Sequence, residues 1–178
     1  RQGYSEKNQV RGEFNPGARH GPHALALGLD GKYYVTDAGT RSIGVFNPKT
    51  RQWEASHLMA EDTKAIYPHT IRVDGKGIVW FTLTGSEQVG RLDPASGTFT
   101  IINLPTHKPI GIAGTMQPYG IDIDPTDGGV WYGRLFTDII GYIDPETLEI
   151  VEYDSPVSGP RRMQFDKQGV LWVTGYSE

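Results

Sequence analysis

The 178-residue sequence contains no cysteine, which excludes disulfides and thiolate metal sites while leaving every redox compartment open. It has no excess of basic charge: 17 basic residues stand against 21 acidic ones, for a formal net charge of −4. The footprint that nucleic acid or an anionic membrane surface selects is therefore missing, and neither is expected as a partner. Its apolar runs are no longer than a strand, so no membrane insertion by a spanning helix is expected. No stretch of helical length carries a helical period either. With 37% hydrophobic and 21% charged residues, the chain otherwise has the composition of an ordinary globular domain.

What the sequence has instead is a repeat. Its clearest copy reads Pro68-His69-Thr70-Ile71-Arg72-Val73-Asp74-Gly75, then Ile78-Val79-Trp80-Phe81-Thr82, then Val89-Gly90-Arg91-Leu92-Asp93-Pro94. Related copies open at Pro22, Pro118 and Pro160, and the four prolines are separated by 46, 50 and 42 residues. Each segment is short, rich in aromatic and β-branched residues, and bounded by Asp-Gly, Asn-Pro or Asp-Pro turn signals, which predicts strands. A unit of about four antiparallel strands repeated every 40 to 50 residues reads as a β-propeller blade. The fold class predicted is thus all-β, a β-propeller with about four four-stranded blades over residues 1–178.

Apolar residues on both faces of a strand support blades over a half-solvated sandwich. Ile78, Trp80 and Thr82 point one way, and Val79 and Phe81 the other. Tyr34, Trp80, Trp131 and Trp172 occupy equivalent positions, where packing between blades predicts burial; stacking against a ligand is the alternative. Residues 1–20 read as the tail of a preceding blade, with Val10 to Phe14 its outermost strand. The last copy stops at Glu178 after two strands. The expectation is half a blade with an open edge, in a larger ring completed by the remaining blades or by another chain, over a small ring closed by the first strand.

Strand alternation fixes one geometric step. The segment leading into the first strand of each blade and the end of the second strand share one face, at the channel mouth. His23, His69, Tyr119 and Arg161 occupy the first position, and Asp37, Leu83, Arg134 and Gly175 the second. Long connections at Ser56 to Ala65 and Thr106 to Met116 are also candidates for that face. Two histidines near Asp37 suit a metal site or a base with an orienting carboxylate, or else simply cap backbone groups. Arg134, Arg161 and Arg162 with Tyr119 suit a carboxylate or phosphate, or else surface solvation and a salt bridge to Asp37. His20, His57 and His107 fall outside the motif and read as loop histidines. No nucleophile triad, phosphate loop or paired-carboxylate motif is present.

The string Pro-His-x-Ile, Asp-x-x-Gly-x-(Val/Leu)-Trp-Phe-Thr and Ile-Gly-Arg-Leu-Asp-Pro resembles the repeats of the streptogramin B (virginiamycin B) lyases over residues 10 to 178. The resemblance implies a ring of six or seven blades, magnesium and a histidine base that opens a cyclic depsipeptide by carbon–oxygen elimination. It places the base at His69 or His23 and a metal ligand at Asp37. At the other acidic positions of the family stand Leu83, Arg134 and Gly175. Tyr34-Val35-Thr36-Asp37 also resembles repeats of non-catalytic extracytoplasmic propellers. That similarity implies a secreted or periplasmic protein and an alternative role as a ligand- or protein-interaction module. With neutral histidines, the eight mouth positions are net positive by one. They favour an anionic or carbonyl-rich group of a small-molecule or peptide-like ligand, held by Tyr119, Arg134 and Arg161, over magnesium.

Overall fold

The computed structural model describes residues 4–8, 11–12, 14–107 and 117–176, so most of the connection from Thr106 to Met116 lies outside them. Two short strands come first, β1 (Tyr4–Asn8) and β2 (Arg11–Gly12). The first copy of the repeat forms β3 (Pro22–Leu27), β4 (Tyr33–Asp37), β5 (Ser42–Asn47) and β6 (Gln52–Leu58). The second forms β7 (Pro68–Val73), β8 (Val79–Leu83), β9 (Gln88–Asp93) and β10 (Thr98–Asn103). The third forms β11 (Ile121–Ile123), β12 (Val130–Arg134), β13 (Ile139–Ile143) and β14 (Ile150–Asp154), and the fourth β15 (Pro160–Phe165) and β16 (Leu171–Gly175). Each copy pairs in chain order as an antiparallel meander, giving three four-stranded propeller blades and a two-stranded half blade.

The hairpin joining the first two strands is closed by its aspartate. Asp74 Oδ1 accepts the Lys76 and Ile78 N–H groups at 2.8 and 2.9 Å, and its Oδ2 accepts the Trp80 indole N–H at 2.9 Å. Asp166 repeats this with Gln168, Val170 and Trp172, and Asp30 reaches the Tyr34 hydroxyl at 3.1 Å. The third hairpin has one more residue between Asp124 and its aromatic. There the Trp131 indole N–H is buried without a hydrogen-bond partner among the described residues. The Ile-Gly element of the motif has an equally local cause: a Cβ on Gly90 would sit 2.2 Å from the ring of Phe81, its partner across the strand pair.

Successive residues of β8 enter different cores, as the alternation predicts. Phe81 packs between the first and second blades with Tyr34, Ile43, Ile71 and Leu92, while Trp80 packs between the second and third with Ile121, Val130 and Tyr132. Tyr34 and Trp80 are buried as expected. The expectation fails further along: Trp131 is half-buried against Phe165 and Tyr153, and Trp172 is 65% exposed. This aromatic faces the following blade, and no described sheet covers that face of β15–β16. Leu25 and Leu27 are exposed on the opposite side of the first blade for the same reason.

The start of the chain also differs from its reading as a preceding blade. β1 pairs with β10 and β2 with β6, so the described strands of residues 1–20 extend the outer edges of the second and first blades. An outermost strand presents unpaired N–H and C=O groups, and a neighbouring segment satisfies them. His57 is no loop residue either: it lies buried on β6, with its ring edge-on to Phe99. Only the rest of the Ser56 to Ala65 connection lies outside a strand, and it contains a short 3-10 turn at Glu61–Thr63.

Candidate functional site

The first strands of the first, second and fourth blades open with an irregularity that places the mouth residue. Register with the second strand shifts between Pro22 and Leu25 and between Pro68 and Ile71, leaving the Ala24 and Thr70 N–H groups off the ladder. A threonine of the second strand takes them up. Thr36 Oγ1 accepts from Ala24 at 3.0 Å and donates to the His69 carbonyl of the next blade at 2.7 Å. Thr82 does the same for Thr70 at 3.0 Å and the Tyr119 carbonyl at 3.1 Å. The backbone of one blade's mouth residue is thus fixed by its predecessor. In the third blade Gly133 replaces the threonine, because a Cβ there would approach the Pro160 carbonyl to 2.7 Å.

This stitching brings four predicted residues into one strip. The His23 and His69 ring centroids lie 3.7 Å apart, and His69 lies 4.2 Å from Tyr119. The Arg161 guanidinium sits 5.0 Å over the Tyr119 ring and donates to its hydroxyl at 3.1 Å, and Arg162 sits 5.4 Å over the same ring. Neither arginine is paired with a carboxylate among the described residues. Sequence reasoning missed two neighbours, Tyr67, 6.1 Å from His23, and Tyr176, whose ring lies 4.8 Å from the Arg161 guanidinium. The signal for Tyr67 was its place immediately before the motif proline.

Both imidazoles are held neutral. Burial pushes the His69 pKa down to about 3, helped by the charges of His23, Arg162 and Arg161 and opposed by a hydrogen bond to the Tyr119 main chain. His23 is lowered by desolvation and then by Arg162, against a hydrogen bond to the His69 main chain. His69 Nδ1 and the Thr70 hydroxyl share a hydrogen bond of 2.9 Å. The sign of the linkage follows. The unfolded chain protonates His69 first, so its contribution is complete above about pH 6.5 and declines as pH falls toward 3. Melting at pH 7 and pH 5 should show a loss of about 1–2 kcal/mol that is absent from His69→Gln; equal losses in both proteins would refute it.

Two predicted site residues are committed elsewhere. Asp37 accepts from the N–H groups of Gly21, Gly39 and Thr40 at 2.7, 3.0 and 3.2 Å and pairs with His20, so its carboxylate closes the loops on either side of β3–β4. His20 is accordingly raised by its hydrogen bond to Asp37. Arg134 is fully buried, bonded to the Pro105 carbonyl, Glu152 at 3.1 Å and Glu87 at 3.4 Å, with its Nε left without a partner among the described residues. His107, at the edge of its loop, pairs with Glu152 in the same network. No group of three or more histidine, aspartate or glutamate side chains suited to a metal exists among the described residues.

Two cavities of about 310 and 370 Å³ open on the opposite, turn face. Their lysines are already neutralised, Lys32 by Glu54 at 2.8 Å and Lys76 by Glu146. The turn aspartates there close backbone turns. Arg91 beside the second cavity lies over the Trp80 ring, whereas the mouth brings two guanidinium groups together with no carboxylate partner among the described residues. No described helix is long and apolar enough to cross a membrane.

The fold is similar to solved structures throughout its length. A catalytically inactive virginiamycin B lyase from Staphylococcus aureus with quinupristin matches at 21% identity and a TM-score of 0.72, over 97% of this chain and 53% of that one. A streptogramin B lyase structure matches at 24% and 0.72, over 96% and 52%. An auxiliary nutrient binding protein from Bacteroides ovatus matches at 17% and 0.64, over 88% and 46%. The chain therefore spans about half the length of these structures. No curated protein matches its sequence. Residues 10–177 match the virginiamycin B lyase family.

Proposed function

The chain belongs to the virginiamycin B lyase family, and from that membership and the geometry of the mouth we propose that it binds a small or peptide-like ligand there through an anionic or carbonyl-rich group. The observation that carries the reading is the pair Arg161 and Arg162, stacked on Tyr119 with no carboxylate partner among the described residues. Charge-assisted hydrogen bonds from guanidinium suit a carboxylate, and the Tyr119 hydroxyl, which accepts from Arg161, keeps its own proton to donate. Magnesium does not fit the described residues: Asp37 is engaged, and the nearest charges at the mouth are cationic. The name of one structural neighbour, a nutrient binding protein, agrees with a binding role.

Family membership favours a second reading, carbon–oxygen elimination that opens a cyclic depsipeptide. On that reading His23, the more exposed imidazole, is the better base, because the proton affinity of His69 is too low to take a proton at neutral pH. Calorimetric titration with succinate and with magnesium separates the two. Succinate is expected to bind in the millimolar range and to weaken at least tenfold when Arg161 and Arg162 are both replaced by alanine, with no magnesium uptake. Tight magnesium binding lost in Asp37→Ala, without succinate binding, would overturn the proposal in favour of the lyase.

A further inference from the structure

Resting on the anion-binding reading above, we infer that the ligand class of the mouth is an aromatic carboxylate, its acid group held by Arg161 and Arg162 and its ring taken by the aromatic surface that flanks them. The strip is continuous. Tyr67 stacks 5.9 Å from His69, His69 lies 4.2 Å from Tyr119, and Arg161 lies between the rings of Tyr119 and Tyr176. Its inner members are buried, His69 at 1% and Tyr119 at 6% exposure, whereas its ends are open, Tyr67 at 39% and Tyr176 at 55%.

The open ends are not a by-product of packing. Trp172, Leu25 and Leu27 are exposed because no described blade covers their faces, whereas Tyr67 contacts the mouth residues His23 and His69, and Tyr176 contacts the Arg161 guanidinium. Tyr67 is also held at φ 61°, in left-handed backbone that disfavours any side chain larger than glycine, with its carbonyl pinned by the Thr84 N–H at 3.1 Å. A bulky ring kept exposed in such backbone, two residues before the mouth histidine, points to a role outside the fold. Exposed π faces beside guanidinium groups favour a flat ring over an alkyl group, because offset stacking and cation–π attraction add to simple burial.

A matched pair of probes tests the ring separately from the charge. Phenylacetate and cyclohexylacetate carry the same carboxylate on rings of similar size, one flat and aromatic, the other not. In calorimetric or NMR titrations of the protein, phenylacetate is expected to bind about fivefold tighter. Tyr67→Ala and Tyr176→Ala, both at exposed positions, are expected to shrink that ratio toward one. Equal affinities for the two acids would overturn this inference and leave the anion reading standing. Absence of binding by both acids, with succinate also inert, would overturn the anion reading and this inference with it.

Discussion

Replacing Arg134 with methionine is expected to cost about 3–5 kcal/mol of stability, although the arginine touches no ligand and lies at the end of a strand. Its guanidinium is completely buried and holds Glu152 and Glu87 together across two blades. Glu152 also accepts from the Tyr132 hydroxyl at 2.7 Å and pairs with His107, while Glu87 accepts from the buried Gln117 amide at 2.7 Å. Removing the cation leaves a nearly buried carboxylate without its counter-charge, and burial penalises the unpaired ion far more than the pair rewarded folding. The loss should therefore be largely recovered in the double variant Arg134→Met, Glu152→Gln, which removes both charges. Denaturant titration of the two variants decides: a single variant within about 1 kcal/mol of the parent would mean that the guanidinium is not what holds these carboxylates.

That network shows where sequence reasoning stops. The strip of His23, His69, Tyr119 and Arg161 was legible because one repeat position maps to one place in every blade, so equivalence in sequence became proximity at the mouth. Arg134 occupies a repeat position too, but its partners come from a turn and an outer strand, 47 and 18 residues away, where the repeat has no fixed residue. The same holds for Asp37, two of whose partners, His20 and Gly21, lie in the segment before Pro22. The threonines that tie blade to blade could have been found: Thr36 and Thr82 stand at one repeat position, Thr174 recurs there, and the exception, Gly133, lies where a Cβ would meet the Pro160 carbonyl of the next blade. The strand edges joined by β1 and β2 could not, because backbone pairing at a free edge leaves almost no trace in side-chain pattern.

Alanine at the three equivalent tryptophans is expected to give three different costs, ordered by what covers each ring. Trp80 is wholly buried between the second and third blades, donates its indole N–H to Asp74 and carries the Arg91 guanidinium 5.5 Å over its ring. Its removal opens a cavity the size of an indole and should cost about 3–5 kcal/mol. Trp131, half-buried against Phe165 and stacked at 6.0 Å on Tyr153, should lose about half as much. Trp172 makes the same hydrogen bond, to Asp166, yet is 65% exposed, so its loss should stay below about 1 kcal/mol. Because hairpin, aspartate and strand position are shared by the first and last of these, the difference between them measures burial by a neighbouring blade alone. Midpoints in urea provide the readout, and a Trp172→Ala protein as destabilised as Trp80→Ala would show that this outer face is covered in solution.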